Sequence, residues 1–191
     1  EIGSGLVGSE MCIRDRYDKH GKSIASVRAG NVIGGGDWAL DRIIPDCIKA
    51  LESGKNIDIR NTKSVRPWQH VLEPLSGYML LTAKIWEEPT KYCEGWNFGP
   101  RAESITSVWD VANDVVKNYG SGGLNDISIP NAPHEARFLM LDISKAKFQL
   151  GWEPRMNIHQ CVALTVDWYK RYTFENVYSL CVDQIKQYLI K

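Results

Sequence analysis

Three short polar runs carry the side chains of this sequence that are best suited to bind a phosphorylated ligand. The first run surrounds Asn31, directly after a β-prone stretch at residues 24–29; the second contains Arg66; the third contains Glu135 and Arg137. The planar fork of an arginine grips phosphate oxygens through two donors at once. An asparagine amide offers both a donor and an acceptor to a sugar hydroxyl or a phosphate. The chemistry indicated by these residue types is therefore ligand binding.

Each of these side chains also has an ordinary structural interpretation. Asn31 could hold its own loop, and the residue type alone favours neither role. A solvated side chain is the commoner outcome for a single arginine such as Arg66. Glu135 and Arg137 could form a surface ion pair worth less than about 1 kcal/mol. His70 is predicted to be structural, because no carboxylate or nucleophile is placed with it in the sequence.

The hydrophobic pattern predicts the elements that would present these runs. Strands are predicted at residues 24–29, 57–60, 96–98 and 127–129. Helices are predicted at about residues 41–51, 72–86, 107–119, 144–150 and 158–189, with a break near Thr173 in the last and Ser107 as a cap of the third. The second helix is expected to carry Leu75, Met79, Leu80 and Ala83 on one face. Because strands and helices alternate, the predicted fold class is α/β with a parallel sheet extension. Such sheets bind ligands outside the carboxyl ends of their strands.

Composition narrows the possible partners. The 191 residues include 23 Lys plus Arg and 23 Asp plus Glu, so the formal net charge is zero, which argues against a general nucleic-acid binder. No apolar run approaches the roughly 20 residues that span a bilayer, and the amino terminus lacks the order of a secretory signal. The five cysteines are scattered without metal-ligand spacing. We therefore expect no membrane partner, no metal site and a reducing, cytoplasmic location.

Residues 3–8 (GSGLVG) match the G-x-G-x-x-G dinucleotide fingerprint. That fingerprint requires a strand that delivers the glycine turn to the start of a helix. Only Glu1 and Ile2 precede Gly3, so we expect residues 1–16 to be irregular and to bind no cofactor, which leaves the cofactor-binding residues unknown. A sharper hypothesis is that residues 1–16 are foreign sequence, because unpatterned sequence changes abruptly to patterned sequence near Tyr17.

From about residue 17 to the carboxyl terminus, the motifs resemble the CDP-glucose branch of the nucleotide-sugar 4,6-dehydratases. These enzymes belong to the extended short-chain dehydrogenase/reductase superfamily. The motifs are RAGNVIGGGDW, IIPDCIKALESGK, IRNTKSVRPWQHVLEPLSGYMLL, WNFGP and HEARFLMLDISKAKFQLGWEP. RPWQHV is the most specific of them, since related dehydratases and epimerases carry an Arg-Asp-Trp type motif there. The resemblance implies that residues 17–191 are the C-terminal portion of an extended Rossmann-type, NAD-dependent sugar-nucleotide enzyme and form mostly its substrate-binding lobe.

The resemblance also implies a reaction and a set of binding residues. The full-length parent would be a homodimer that oxidises CDP-glucose at C4 with bound NAD, eliminates water across C5 and C6, and returns the hydride to C6. The substrate-binding residues that it implies are Asn31, Arg42, Arg66, Asn97, Glu135 and Arg137. Asn31 would contact the sugar diphosphate and Arg66 the nucleotide's phosphates, whereas Arg137 departs from the residue expected in the His-Glu-Ala segment.

The catalytic residues of these enzymes are a Tyr-x-x-x-Lys pair, a nearby Ser or Thr, and an acidic acid/base pair. All of them precede the Asn31 strand by more residues than this chain contains. Tyr17 is the only tyrosine before Asn31, and Gly21, not a lysine, stands four residues after it. The lysine lowers the pKa of the tyrosine so that the phenolate can accept the C4 hydroxyl proton. We therefore expect no catalytic residues and no turnover in this chain alone. An epimerase or reductase of the same superfamily, or a non-catalytic sugar-nucleotide binding module, remain alternatives.

Overall fold

The computed structural model of the protein describes residues 21–128 and 139–190. Its strands are β1 (Ser26–Ala29), β2 (Asn31–Ile33), β3 (Ile57–Ile59), β4 (Val65–Arg66), β5 (Trp68–His70), β6 (Gly95–Phe98), β7 (Thr106–Ser107) and β8 (Leu124–Asp126). Its helices are α1 (Ile43–Glu52), α2 (Leu72–Glu87), α3 (Pro89–Tyr92), α4 (Val108–Tyr119), α5 (Ile158–Arg171) and α6 (Val177–Ile190), with a 3₁₀ turn at Ala102–Ser104 and a π-type turn at Ala146–Leu150. The predicted α/β class is confirmed. The strand predicted at 127–129 was misplaced, because the pairing that defines β8 ends at Asp126.

Most of the strand pairs are parallel. β1 pairs with β6, β2 with β5 and β3 with β8 in parallel, whereas β4 and β7 pair in an antiparallel arrangement. Parallel pairs place the carboxyl ends of neighbouring strands at one edge, and that edge is where ligands enter sheets of this kind. Each of the three parallel pairs has its own carboxyl end, and the sequence predicts the ligand site directly after β1.

Gly30 separates two strands that have different partners. The N–H of Gly30 donates to the Phe98 carbonyl oxygen at 3.2 Å, and the N–H of Asn31 donates to the Pro67 carbonyl oxygen at 2.8 Å. A Cβ atom on Gly30 would overlap the carbonyl oxygen of Pro67, so a residue without a side chain is required at this close approach. The prediction that Asn31 lies in a loop was wrong, because the chain resumes as a strand on its new partner.

The larger apolar core joins α1, α4 and α5 to the strands. Five of its fully buried side chains are Ile48 of α1, Val111 and Val115 of α4, and Val162 and Val166 of α5. Such burial of apolar surface contributes on the order of 2 kcal/mol for each side chain. This core fixes α5 against the sheet, and the position of α5 matters for the ligand site described below.

The start of α4 follows the predicted local signal. The Ser107 hydroxyl oxygen accepts the Asp110 N–H at 3.1 Å and the hydroxyl donates to the Asp110 carboxylate at 2.6 Å. This cap satisfies an N–H that the first turn of a helix would otherwise leave unpaired. The helix ends at Gly120, whose φ of 96° lies in the left-handed region. The predicted helix with its Ser107 cap is confirmed.

The second apolar core packs α2 against β6 and the turn at 146–150. A Cβ atom on Gly77 would overlap the ring of Phe98, so α2 approaches the strand closely at this glycine. Leu81 is buried on the same side of the helix. Leu75 and Met79 are 45% and 75% exposed. The predicted apolar face of this helix was therefore displaced, because Gly77 and Leu81 form the contact with the sheet.

A buried carboxylate fixes the first turn of α2. The Glu73 carboxylate accepts the backbone N–H of Arg155 at 2.9 Å, the N–H of Met156 at 2.7 Å and the Tyr188 hydroxyl at 2.9 Å. Burial raises the pKa of Glu73, and these three donors oppose the rise. Tyr188 and the Trp152 indole N–H also contact the Ser76 hydroxyl oxygen, each at 2.9 Å. We call Glu73, Ser76, Trp152 and Tyr188 the Glu73 cluster.

Candidate functional site: a cavity beside the strand crossover

A cavity of about 420 Å³ opens where β2 and β5 meet the start of α1. Its lining combines the β1–β2 crossover, the loop that leads to α1, the first turn of α1, and two short flanking stretches at 67–68 and 139–141. The lining residues are Ala29, Gly30, Asn31, Val32, Ile33, Gly34, Asp37, Asp41, Arg42, Ile43, Ile44, Pro45, Pro67, Trp68, Leu139 and Leu141. This volume suits a small-molecule ligand, and an apolar wall with a few polar groups is typical of such sites.

The charged groups of the cavity are two carboxylates and one guanidinium among the described lining residues. Arg42 lies 3.0 Å from the Asp37 carboxylate, and Arg60 lies 2.8 Å from the carboxylate of Asp41. Asp41 has a φ of 59°, in the left-handed region, and it directly precedes Arg42. A carboxylic side chain tolerates this backbone region better than most, and such positions cluster at functional sites. Arg42, which lines the cavity, thus follows a turn of unusual geometry.

The glycine loop, residues 34–37, is held against α5 by aromatic side chains. A Cβ atom on Gly35 would overlap the indole ring of Trp168. The hydroxyl of Tyr169 donates to the Asp37 carbonyl oxygen at 2.6 Å and accepts the Asp37 N–H at 3.1 Å. Burial raises the pKa of Tyr169 to about 12, so the hydroxyl keeps its proton near neutral pH. The loop is therefore fixed by packing at Gly35 and by hydrogen bonds at Asp37.

Two of the predicted binding residues lie together on the cavity. Asn31 begins β2, half-buried, and Arg42 immediately precedes α1. Eleven positions separate them in sequence, but the loop that contains residues 34–37 turns the chain so that both line the same cavity. Their roles as ligand contacts remain a prediction.

The other two predicted residues in the described ranges stand outside the lining. Arg66 in β4 is half-buried and donates to the carbonyl oxygen of Val65 at 3.0 Å, directly before the lining residue Pro67. The Asn97 amide accepts from Arg28 at 3.3 Å and donates to the Asp142 carbonyl oxygen at 3.0 Å. Asn97 thus bridges neighbouring parts of the protein.

The remaining predictions fall on parts of the chain that the structure does not describe. Glu135 and Arg137 lie outside the described residues, as do residues 1–16 and Tyr17. Within residues 21–128 and 139–190, no three His, Cys, Asp or Glu side chains form a group that could hold a metal ion. No helix within the same ranges is long and apolar enough to cross a membrane.

Sequence reasoning missed three residues that shape the cavity. Asp37 was read only as part of a glycine-rich loop, and Tyr169 only as part of a helix. Trp68 lines the cavity, and its indole N–H is buried without a hydrogen-bond partner in the described structure. A buried hydrogen-bond donor without a partner lowers the free energy of unfolding by about 1–3 kcal/mol, and folded proteins seldom retain one without a structural or functional cause. The available signal was the position of Trp68 in the RPWQHV motif.

The glycine loop does not fit the pyrophosphate of a dinucleotide. In a dinucleotide-binding loop, the glycines leave space for the phosphates at the start of a helix. Here a Cβ atom on Gly34 would lie 2.9 Å from the side chain of Val71, and the space beside Gly35 is filled by Trp168. Gly34 and Gly35 therefore serve the close packing of protein side chains.

Comparison with solved structures identifies the fold. The chain superimposes on a dTDP-glucose 4,6-dehydratase from Bacillus anthracis in complex with NAD with a TM-score of 0.67, at 19% identity, covering 85% of this chain and 49% of that one. It superimposes on UDP-glucuronic acid 4-epimerase from Bacillus cereus in complex with UDP-glucuronic acid and NAD with a TM-score of 0.68, at 18% identity, covering 87% and 51%. The fold is that of Rossmann-type, NAD-dependent sugar-nucleotide dehydratases and epimerases.

Sequence comparison identifies a particular relative. The chain is 49% identical over 154 residues to CDP-glucose 4,6-dehydratase of Salmonella typhimurium, which covers 81% of this chain and 43% of that enzyme. The resemblance to the CDP-glucose branch predicted from the motifs is confirmed. The chain spans less than half the length of this curated relative. No protein-family model matches the chain.

Proposed function

We propose that this chain supplies the sugar-nucleotide binding part of a 4,6-dehydratase, a lyase that converts CDP-glucose into CDP-4-keto-6-deoxyglucose. The observation that carries the proposal is the cavity at the crossover between parallel strand pairs, lined by Asn31 and Arg42. Its position agrees with the general rule for ligands in α/β sheets. The 49% identity to a CDP-glucose 4,6-dehydratase supports the choice of substrate.

The side chains of the cavity suit the parts of this substrate. The Arg42 guanidinium would donate to phosphate oxygens, and its 62% exposed side chain leaves donors available to a ligand. The Asn31 amide would bind the sugar diphosphate through either its donor or its acceptor. Arg66 would bind the nucleotide's phosphates beside Pro67. Glu135 and Arg137 complete the proposed set from outside the described residues, and Asn97 would act from the neighbouring strand.

The oxidant and the assembly of the parent enzyme are also part of the proposal. NAD would supply the oxidant for C4 of the sugar and the hydride that is returned to C6 in the parent enzyme. Because protein side chains fill the space beside the glycine loop, we assign NAD binding to residues other than those of this loop. A homodimeric, cytoplasmic parent follows from the resemblance. Cys47, Cys93 and Cys181 are free thiols, which suits a reducing compartment.

Isothermal titration of the chain with CDP-glucose, UDP-glucose and dTDP-glucose tests the proposal. We expect CDP-glucose to bind most tightly, and Arg42→Gln to weaken its binding about tenfold by removing a charge-assisted contact. Arg101→Gln is the matched control, because this arginine is also about half exposed but pairs with Glu153 outside the cavity. Equal effects of the two substitutions, or no heat with any of the three sugars, would contradict the proposal.

A turnover assay tests the expected absence of catalysis. With CDP-glucose and NAD, we expect no 4-keto-6-deoxy product from the chain alone, because the Tyr-x-x-x-Lys pair is missing from its sequence. Formation of that product at a rate above a no-protein control would show that other residues of this chain carry the proton transfers.

An epimerase of the same fold is the second candidate. The observation that favours it is the TM-score of 0.68 with UDP-glucuronic acid 4-epimerase, as high as that with the dehydratase. The same titration, extended to UDP-glucuronic acid, separates the candidates. Tighter binding of UDP-glucuronic acid than of CDP-glucose would favour the epimerase. Equal binding of all nucleotide sugars would favour a non-catalytic binding module.

A further inference from the structure

We propose that Tyr169 is a positioning residue for the cavity: it fixes Asp37, and through Asp37 it orients the Arg42 guanidinium toward a phosphate-bearing ligand. Tyr169 lies on α5, and it is absent from the cavity lining described above. The inference rests on the function proposed above, since the ligand is taken to be a sugar nucleotide. It adds a residue that touches neither the substrate nor a reacting atom.

The first step of the argument is the contact between Tyr169 and the backbone of Asp37. One hydroxyl serves both polar groups of this residue: it donates to the carbonyl oxygen at 2.6 Å and accepts the N–H at 3.1 Å. Tyr169 is 3% exposed, and Trp168 and Trp38 contact its ring edge-on at centroid distances of 5.2 Å each. A packed ring therefore places the hydroxyl, and the hydroxyl fixes the backbone of Asp37.

The second step runs from the backbone of Asp37 to its carboxylate. One carboxylate oxygen accepts the Ala39 N–H at 3.0 Å, and the other accepts from Arg42 at 3.0 Å. The first contact sets the rotation of the carboxylate. The second then sets the position of the guanidinium. Because the carboxylate that makes both contacts is carried by the backbone of Asp37, a displaced backbone would move both.

The third step concerns the entropy of Arg42. Its side chain is 62% exposed, so little packing restricts the long stem. Immobilising a rotamer-rich side chain on binding costs conformational entropy and so weakens the affinity. If Asp37 orients the guanidinium before the ligand arrives, part of that cost is met in the free protein. The expected consequence is tighter binding without any contact between Tyr169 and the ligand.

The neighbouring Tyr172 provides a matched control. It stacks on Trp168 at a centroid distance of 5.1 Å with an interplanar angle of 3°, and it also contacts Trp38. Neither Asp37 nor Arg42 is hydrogen-bonded to the Tyr172 hydroxyl in the described structure. Tyr169→Phe and Tyr172→Phe each remove one hydroxyl from the same aromatic group. Only the first removes a hydroxyl that holds Asp37.

Calorimetric titration of the chain with CDP-glucose compares these variants. We expect Tyr169→Phe to raise the dissociation constant about fivefold, and Tyr172→Phe to change it by less than about twofold, in keeping with the loss of preorganisation in the first alone. Thermal unfolding of both variants checks that each remains folded at the temperature of the titration. Equal effects of the two substitutions on binding would overturn the positioning role.

A double-mutant cycle with Arg42 separates positioning from a general loosening of the fold. If Tyr169 acts through Arg42, Tyr169→Phe has no further effect on CDP-glucose binding in an Arg42→Gln background. A purely structural role predicts the same loss in both backgrounds, and that additive result would overturn the proposal.

Amide hydrogen exchange of the ligand-free chain gives a readout that does not depend on binding. The Asp37 N–H donates to the Tyr169 hydroxyl, so we expect Tyr169→Phe to accelerate its exchange at least about tenfold and Tyr172→Phe to leave it unchanged. Unchanged exchange in Tyr169→Phe would overturn the proposal. If the unsubstituted chain fails to bind CDP-glucose, the proposed function is contradicted, while the exchange experiment still decides whether Tyr169 fixes Asp37.

Discussion

The Glu73 cluster and the edge of the cavity are both organised around a carboxylate, but the two carboxylates are used differently. Glu73 is fully buried, and its oxygens are occupied by two backbone N–H groups and the Tyr188 hydroxyl. Asp37 lines an open cavity, and one of its oxygens contacts the exposed guanidinium of Arg42. A carboxylate saturated by protein donors stabilises the fold. A carboxylate that contacts an exposed cation leaves that cation able to exchange partners with a ligand.

The largest effect on stability is expected from Glu73→Ala. This substitution leaves the N–H groups of Arg155 and Met156 without their acceptor and opens a small void, which together should lower the free energy of unfolding by about 3 kcal/mol. Chemical denaturation measures the change. CDP-glucose binding should be unchanged where the variant is folded, because Glu73 is not among the residues that line the cavity. A loss of binding by the folded variant would remove the distinction between the two regions.

The contribution of Glu73 to the stability of the fold depends on pH. Burial raises its pKa in the folded protein above 4.5, so the folded state binds this proton more tightly than the unfolded state does. Its contribution to stability is therefore complete below pH 4.5 and is lost as the pH rises through the raised pKa. Subtracting the unfolding free energies of Glu73→Gln from those of the unsubstituted chain, pH by pH, isolates this contribution. A difference that stays constant above pH 4.5 would contradict this assignment.

Gly30→Ala should affect both stability and binding, because it falls where the two strand pairs meet beside the cavity. The new methyl group would overlap the Pro67 carbonyl oxygen, and relief requires β2 to move from β5. We expect a loss of about 2 kcal/mol in unfolding free energy, typical of overpacking against backbone, together with weaker CDP-glucose binding. Gly54→Ala is a useful control, since the positive φ of Gly54 costs stability on substitution, whereas its Cβ position is open and Gly54 is not among the residues that line the cavity. Equal binding by the two variants would contradict the prediction.

The smallest effect is expected from Ser107→Ala, which lies in neither region. Loss of the α4 cap should cost about 1 kcal/mol and leave CDP-glucose binding unchanged. The Ser107 hydroxyl is also the main cause of the lowered pKa of Asp110. The stability that this hydrogen bond to the ionised Asp110 carboxylate contributes is present above pH 3.8 and is lost as the pH falls through the lowered pKa. Chemical denaturation at pH 7 and at pH 3 separates the loss of the helix cap from the loss of the hydrogen bond to the Asp110 carboxylate. If Ser107→Ala lowers the free energy of unfolding equally at the two pH values, the carboxylate contributes nothing to the cap.

Local signals in the sequence were sufficient to predict most of the helices and strands. Ser107 and Gly120 mark the two ends of α4, and the polar break near Thr173 separates α5 from α6 as predicted. Such features depend on neighbouring residues, whose pattern is visible in the sequence. The motifs predicted that Asn31 and Arg42 both bind the substrate. The cavity that both residues line is formed only by the tertiary fold.

Contacts between distant residues were beyond the sequence pattern. Glu73 looked like an ordinary charged residue in a first helical turn, since its acceptor role depends on N–H groups 82 and 83 positions further along the chain. Leu75 was assigned to a buried face, but Gly77 allowed Phe98 to approach and so shifted that face. Tyr169 acquires its contact with Asp37 across 132 positions. No periodic pattern encodes such pairs.

The Glu73 cluster has a consequence for the order of folding. Tyr188, one of its donors, lies 115 positions beyond Glu73. During synthesis, the first turn of α2 leaves the ribosome long before its buried carboxylate can be satisfied, and contacts of such long sequence separation form late because closing the intervening chain costs entropy. We therefore expect the first turn of α2 to be fixed only after α6 has been made. Until then, the nascent chain would leave the Glu73 carboxylate without its Tyr188 donor, and the completion of α6 would supply that contact.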